Sequence, residues 1–172
     1  TLRPALLKKE FGSVIPFSHN HGAWDLEGGR LTLLCEKEAQ AFTGNYFMRN
    51  CQLTAHVTPR NGTQALVALR AQGARRGYYA GLYGTGRAAI IVMHEGEMRL
   101  LAQMPLDWIL DREYTLHLRA QGDRLTLTVD GKTLEATDGS LPYGMAGCAM
   151  FAMGRADFGD LTIREFTSDE EE

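Results

Sequence analysis

Cysteine is scarce in this sequence: the 172 residues include only Cys35, Cys51 and Cys148. The odd number and the wide spacing argue against a disulfide framework and against a zinc site. Each cysteine falls on an apolar position of an alternating, strand-like stretch, so we expect three buried, reduced thiols. Reduced thiols, together with the lack of a signal-peptide pattern, slightly favour a cytoplasmic location.

Long apolar runs and an excess of charge are also missing. No run approaches the roughly 18–20 residues that a membrane-spanning helix needs, so we expect no membrane partner. The formal net charge is −3, which argues against a nucleic acid partner. Because the first residue is Thr1, we expect a piece of a longer chain. We expect a linker or short helix over 1–9, one domain over 10–167 and an acidic, disordered tail over 168–172.

What the sequence does contain is regular alternation of apolar and polar residues. The stretches 51–57, 114–120 and 124–129 place apolar residues at every second position, as strands with one buried and one wet face do. Hairpin signals such as "QGDR", "VDGK" and "HEGE" follow or separate such stretches. We expect about twelve to fourteen short antiparallel strands. The sequence therefore predicts an all-β fold, an antiparallel two-sheet β-sandwich.

Gly84, Gly86 and Ala89 form the pattern G-x-G-x-x-A, which is typical of loops that bind the pyrophosphate of a dinucleotide. Such a loop requires a helix that begins at its end. Here the β-branched residues 90–92 and a turn at 95–96 follow instead, which predicts a strand. We therefore expect a hairpin turn and no dinucleotide cofactor.

No motif for a catalytic nucleophile or a phosphate-binding loop is present, and we expect no catalytic residue. A glycosidase needs two carboxylates across a cleft. The candidate pairs are Glu36/Glu38, Asp107/Asp111 and Asp157/Asp160. None of these pairs lies in a glycosidase motif. The pair His19 and His21 has a spacing that suits a metal, but a surface loop is the better interpretation. Asp157, Asp160 and Glu10 are candidate ligands of a structural calcium ion, and turn or capping roles also explain the two aspartates. We expect no other cofactor.

Aromatic and polar residues share the strand face that should be wet. If Tyr78 fills the core, Tyr79 and Tyr83 face outward, and Gln64 and Arg70 share that face on the preceding strand. Flat rings stack on the CH faces of sugars, and forked donors bind hydroxyls. These residues therefore predict a surface that binds carbohydrate.

Two further residues extend this surface: Arg99 on a later strand and Trp108 in a loop at the end of the sheet.

An ordinary solvated sheet with surface tyrosines explains the same pattern. Apolar residues on that face would instead suit packing against another domain; they are Leu66, Ala68, Ile91 and Met93.

Several stretches together resemble the concanavalin A-like and laminin-G-like jelly rolls. They include "WDLEGGRLTL", "CQLTAHVTPRNG", "ALVALRAQGARRGYYAGLYG", "YTLHLRAQGDRLTLTVDGKTL" and "ADFGDLTI", and the resemblance covers about residues 10–166. It is closest to modules appended to bacterial glycoside-processing enzymes, including fructan-binding modules and the C-terminal domains of ADP-ribosylglycohydrolase-like proteins. The resemblance implies a ligand site on the concave sheet or its end loops, with Arg70, Tyr79 and Tyr83 facing the groove. The ending "FGD" departs from the family's "FdD", and Gly159 at the first acidic position argues against an inherited calcium site.

These observations predict a non-catalytic carbohydrate-binding module from a larger bacterial enzyme. Its expected partners are a glycan and the catalytic domain of the same parent protein. Two alternatives stay open: a glycoside hydrolase of the same fold, and an interaction domain that packs against its own parent enzyme.

Overall fold

The computed structural model describes residues 18–20, 23–27, 30–35, 37–73 and 75–166, with side chains from Leu31 onward except Leu33. Several sequence predictions lie outside the described residues or side chains: Glu10, His19, His21, Glu36, the linker or helix over 1–9 and the tail over 168–172. The domain limits at 10 and 167 stay a prediction. The described residues form strands and turns without a helix, and none of them offers a helix that could cross a membrane.

The described residues form fourteen strands, a number within the predicted range. In chain order they are β1 (Ser18–Asn20), β2 (Ala23–Glu27), β3 (Arg30–Cys35), β4 (Ala39–Thr43), β5 (Cys51–Gly62), β6 (Gln64–Ala71), β7 (Gly77–Tyr83), β8 (Arg87–His94), β9 (Glu97–Pro105), β10 (Tyr114–Gln121), β11 (Arg124–Val129), β12 (Lys132–Thr137), β13 (Met145–Met150) and β14 (Gly154–Glu165).

These strands make two seven-stranded sheets. The first sheet has the order β1-β4-β13-β6-β7-β8-β9, and the second has the order β12-β11-β10-β5-β14-β3-β2. The paired strands are antiparallel. A buried apolar cluster with members from both sheets lies between them, as in a β-sandwich. The predicted all-β, two-sheet sandwich is confirmed.

The second sheet has one buried and one wetter face. In β5 and β10, buried residues alternate with exposed or half-buried ones, and the buried Leu53 and Leu118 are cross-strand partners. On the outer face the partners are polar: Thr54 Oγ1 and His117 Nδ1 lie 2.8 Å apart. This alternation is the pattern expected from the sequence.

The inner strands of the first sheet, β4, β13, β6, β7 and β8, are largely buried on both faces. Tyr78, Ala80 and Leu82 of β7 fill the core between the sheets, as predicted. The opposite face carries a second buried cluster, here named the outer cluster: Phe42, Leu66, Ala68, Ala71, Tyr79, Ala89, Ile91, Met93 and Ala149. The predicted division of β7 between two faces is right, but the prediction that its outer face is wet is wrong. The reason is that these strands carry apolar side chains in both phases, as strands buried on two sides do.

The glycine-rich corner joins β7 to β8. Gly84 and Gly86 have φ values of 75° and 72°, which glycine adopts without a steric cost. The strand β8 begins directly afterwards at Arg87, and the Leu106 amide donates to the Gly86 carbonyl at 2.9 Å. The predicted hairpin turn is confirmed, and no helix begins where a dinucleotide loop would require one.

The three cysteines are buried and are present as thiols. Burial raises the pKa of Cys51 to about 12 and also raises the pKa of Cys148. Both thiols are therefore un-ionised and unreactive at neutral pH. The predicted buried, reduced cysteines are confirmed.

Candidate functional site

Tyr79 does not lie on an accessible surface, because its side chain is 0% exposed. Its hydroxyl donates to Gln40 Oε1 at 3.1 Å, and its ring meets Phe151 edge-on with centroids 4.8 Å apart. Burial raises the pKa of Tyr79, so the hydroxyl keeps its proton. The prediction that this ring faces solvent is wrong, because the apolar outer cluster encloses it.

Gln64 and Tyr83 are direct cross-strand partners. Tyr83 is half-buried, and its hydroxyl lies 3.8 Å from Met98 Sδ. Gln64 Oε1 accepts a hydrogen bond from the Phe151 amide at 3.0 Å. The two residues are adjacent, as expected, and their contact with a ligand stays a prediction.

Arg99 and Trp108 are both engaged within the protein. Arg99 Nη2 lies 2.5 Å from Asp138 Oδ2, so it links β9 to the loop after β12. Trp108 Nε1 donates to the Gly84 carbonyl at 2.9 Å, and its ring packs against the core. Trp108 therefore holds its own loop against the β7–β8 turn.

The predicted site residues do not converge on one place. Gln64 begins β6 and lies near the turn that Trp108 contacts, whereas Arg70 lies near the other end of β6. Six residues of strand span about 20 Å. A single small ligand cannot contact both ends.

Arg70 lies in a β-bulge. The register between β6 and β13 shifts between Met145 and Gly147, and Arg70 has a φ of 53°, which is uncommon for a residue with a side chain. Because of this bulge, the next residue of β6 after Ala68 to join the outer cluster is Ala71 and not Arg70. The prediction that Arg70 shares a face with Tyr79 is wrong for this reason.

The guanidinium of Arg70 instead ties three loops together, and the residue is only 2% exposed. Its Nε donates to the Arg49 carbonyl at 2.9 Å, and its Nη1 donates to the Gly122 and Leu141 carbonyls at 2.5 and 3.3 Å. Its Nη2 makes a long contact of 3.5 Å with Asn50 Oδ1. Burial lowers the pKa of Arg70, yet an arginine stays charged at neutral pH.

Arg70 also forms part of the wall of a pocket of about 370 Å³. Three loops, 44–50, 122–123 and 138–144, supply the other lining residues: Arg49, Asn50, Gly122, Asp123, Gly139 and Pro142. Asn50 Oδ1 accepts from the Gly122 amide at 2.9 Å, which cross-links two of these loops. The pocket is therefore an open cleft at one end of the sandwich, with charged and amide groups set in a mostly apolar wall.

An exposed aromatic cluster of Tyr46, Phe47 and Tyr143 belongs to the same loops. The ring centroids of Tyr46 and Phe47 lie 5.2 Å apart, and they lie 5.7 and 5.6 Å from that of Tyr143. Phe47 is 68% exposed and Tyr46 is 39% exposed. Arg49 connects this cluster to the pocket, because it lines the pocket and its Cζ lies 5.9 Å from the Tyr143 ring centroid.

Local contacts hold the aromatic loop in position. The Gly144 amide donates to the Met48 carbonyl at 3.0 Å, and the Met48 side chain is buried in the main core. The Phe47 amide donates to Asn45 Oδ1 at 2.8 Å. With Met48 anchored, the neighbouring Phe47 stays at the surface.

Tyr46, Phe47, Tyr143 and Arg49 are not among the residues that the sequence predicts for the site. A signal is present in "GNYFMRN", where two adjacent aromatic residues and an arginine lie in a glycine- and asparagine-containing connection. Tyr143 is far away in the sequence, and only the fold brings it to this loop.

The buried acidic residue proposed for calcium is bound by an arginine. Asp157 accepts from Arg60 Nε at 2.9 Å and from Thr32 Oγ1 at 2.9 Å, and Arg60 also pairs with Asp111 at 3.1 Å. Asp160 is 84% exposed. Within the described ranges, no group of three or more histidine, cysteine or acidic residues could hold a metal. The ion pair with Arg60 and the hydrogen bond from Thr32 explain the burial of Asp157.

Solved structures share this fold. A carbohydrate-binding module, CBM66 from Bacillus subtilis, has a TM-score of 0.79 at 17% identity, covering 87% of this chain and 95% of that chain. The exoplasmic/lumenal domain of VIP36, bound to Ca²⁺ and Man3GlcNAc, has a TM-score of 0.69 at 12% identity, covering 91% and 87%. A mutant of the GH43 protein BlXynB from Bacillus licheniformis has a TM-score of 0.58 at 10% identity, covering 84% of this chain and 35% of that chain.

The protein is therefore a concanavalin A-like β-sandwich, of the lectin-like architecture that the resemblance implied. No protein-family model matches the chain, and no curated protein sequence is significantly similar to it. Identities this low show the fold alone, and a fold hosts many functions. The function must therefore be argued from the site.

Proposed function

We propose that the protein is a non-catalytic carbohydrate-binding module that binds glycan at one end of the sandwich. The observation that carries this proposal is the exposed cluster of Tyr46, Phe47 and Tyr143 beside the pocket whose lining includes Arg49 and Asp123. This combination supplies both kinds of contact that a sugar needs.

The aromatic rings provide the apolar part of the site. Sugar CH faces pack on flat, exposed rings, and Phe47 offers the most exposed ring of the cluster. The pocket provides the polar part, since Arg49 and Asn50 carry donors and Asp123 carries acceptors. The buried hydrogen bonds of Arg70 hold these loops in place before the ligand arrives, which reduces the entropy lost on binding.

We further propose that the module serves a larger carbohydrate-active enzyme. CBM66 is itself a carbohydrate-binding module, and the matched region is only 35% of the GH43 protein chain. A module of this kind acts by holding the catalytic domain near its polymeric substrate, which raises the effective substrate concentration.

The interaction-domain alternative has one observation in its favour. Met98 and Leu100 of the edge strand β9 are exposed, and they pair in register with Met93 and Ile91 of the outer cluster. Packing of a parent enzyme against this edge is compatible with glycan binding at the loops. The glycosidase alternative has less support, because Arg60 engages two of its candidate carboxylates, Asp111 and Asp157.

A glycan array followed by calorimetric titration of the best ligand tests the proposal. We expect Phe47→Ala to weaken binding about three- to tenfold, because it removes one stacking ring. Tyr83→Ala serves as the matched aromatic variant. Tyr83 ends β7 and pairs with Gln64, far from the loop cluster, on the sheet surface that the sequence predicts as the site. Circular dichroism should show that both variants are folded.

Two outcomes would contradict the proposal. If the folded wild-type protein binds no glycan on a broad array, the proposal of carbohydrate binding is wrong. Loss of binding in Tyr83→Ala, with normal binding in Phe47→Ala, would move the site from the loops to the sheet.

A further inference from the structure

We infer that the pocket selects sugars that carry a carboxylate, such as uronic acids, over their neutral counterparts. This inference rests on the proposed function, since it specifies the ligand class of the same site. Its basis is the charge of the pocket lining, where Arg49 and Arg70 lie with a single carboxylate, that of Asp123.

Arg70 is a buried cation whose hydrogen-bond partners, among the residues that the structure describes, are neutral. They are three backbone carbonyls and the Asn50 amide oxygen. A buried charge is costly, and the carboxylate of Asp123 on the same pocket wall offsets part of this cost. The carbonyl dipoles offset part of this cost, and an anion in the pocket would offset more of it.

Among the described residues, Nη2 of Arg70 has the longest of the arginine's polar contacts. Nε and Nη1 of Arg70 are saturated by carbonyl groups. Nη2 carries two hydrogens, and its partner among the described residues is Asn50 Oδ1 at 3.5 Å, which is too long for a strong hydrogen bond. A charge-assisted bond from this nitrogen to a carboxylate is stronger than a bond to a neutral hydroxyl.

Arg49 supplies a second cation between the pocket and the aromatic cluster. Its side chain is exposed, and its guanidinium lies near the Tyr143 ring. A sugar ring that stacks on the aromatic cluster therefore has a cation at its edge. Asp123 opposes this attraction, because its negative charge lies on the same wall. The two arginines outnumber it, so the lining carries a net positive charge although the chain is negative overall.

The test uses three probes of nearly one shape: methyl β-D-glucuronide, its methyl ester and methyl β-D-glucoside. The same three derivatives of galactose follow if the gluco series shows no binding. Chemical-shift titration by NMR reports weak affinities and shows which loop responds. We expect the acid to bind about tenfold more tightly than the ester at low salt, and we expect added NaCl to reduce this ratio.

Variants assign the effect to the pocket. Arg49→Gln should lower the ratio of acid to ester affinity toward one, because it removes the positive charge at the edge of the aromatic cluster. Asp123→Asn should raise the ratio, because it removes the opposing charge. Arg87→Gln is the charge-matched control, since Arg87 lies at the start of β8 beside the distant β7–β8 turn, and it should leave the ratio unchanged.

Equal affinity for acid and ester, or an unchanged ratio in Arg49→Gln, would overturn the inference and leave glycan binding intact. Tighter binding of the acid with shifts at residues outside the three loops would overturn it as well. If neither these probes nor the glycan array gives binding, the proposed function itself fails, and the inference fails with it.

Discussion

The two sheets of this sandwich use their outer faces in different ways. On the second sheet, β5 and β10 present polar pairs such as Thr54 and His117 on the outer face. On the first sheet, the corresponding face carries the outer cluster, in which Tyr79 and Leu66 are fully buried. The inner strands of the first sheet are therefore shielded from solvent on both faces, whereas β5 and β10 of the second sheet border solvent on one face.

This difference changes where a ligand can bind. A ligand that needs exposed rings and free donors finds neither at the outer cluster, because Tyr79 already bonds Gln40 and packs on Phe151. The loops at the end of the sandwich offer both. The comparison therefore supports the proposed glycan site at the loop end, because the outer cluster is packed inside the protein.

The largest effect that tests this comparison is expected for Tyr79→Ala. Loss of a fully buried aromatic side chain should lower the free energy of unfolding by about 3–5 kcal/mol. Thr115→Ala, on the outer face of the second sheet, should change it by about 0.5 kcal/mol or less. Urea denaturation followed by circular dichroism measures both values. Similar small losses in the two variants would mean that the two outer faces do not differ.

A smaller effect is expected for Gly147→Ala in β13. A Cβ atom at Gly147 would overlap the carbonyl oxygen of Ala41 in the adjacent strand. The overlap should cost about 1–3 kcal/mol of unfolding free energy. At Gly139 the nearest atom to an added Cβ is 3.8 Å away, so Gly139→Ala is the matched control and should be close to neutral. If both variants unfold at the wild-type urea concentration, the first sheet is not tightly packed at this position.

The smallest effect concerns the contact that joins the edges of the two sheets. Asp138, which follows β12 of the second sheet, bonds Tyr78 of β7 and pairs with Arg99 of β9 in the first. Partial burial opposes ionisation, but hydrogen bonds from Ser140 and Tyr78 and the charge of Arg99 prevail, so the pKa of Asp138 is lowered from 3.8. A lowered folded-state pKa stabilises the protein above the unfolded-state pKa. This stability is lost as the pH falls through the folded-state pKa.

Asp138→Asn checks this dependence. The variant should be less stable than the wild type at pH 7, and the difference should shrink as the pH falls below about 3.8. Unfolding free energies of the variant and the wild type, measured from pH 7 to pH 3, test this expectation. A difference that stays constant over this range would show that the charge of Asp138 does not contribute.

The sequence predicted the strands and their phases well, because alternation is a local property of the backbone. Tyr78 and Tyr79 point to opposite faces as their positions require. The exposure of the second face was not predictable in the same way. Alternation distinguishes two faces, but it does not say whether a further layer covers the more polar one.

Arg70 shows a second limit of sequence reasoning. Strict alternation places Arg70 on the same face as Leu66 and Ala68, but the bulge opposite Met145 and Gly147 interrupts the alternation. A bulge depends on the register of two strands that are distant in the sequence. The pocket that Arg70 lines is also assembled from three separate loops, so no single stretch indicates it.

Local patterns are enough to specify the all-β class, the hairpin at Gly84 and Gly86 and the burial of the cysteines, because turn residues and alternation act over a few neighbouring positions. Packing of distant segments is what buries Tyr79, places Arg70 in a bulge and brings Tyr143 to Phe47. These features require contacts between distant segments. Such contacts form only when the two sheets pack and bring their loops together.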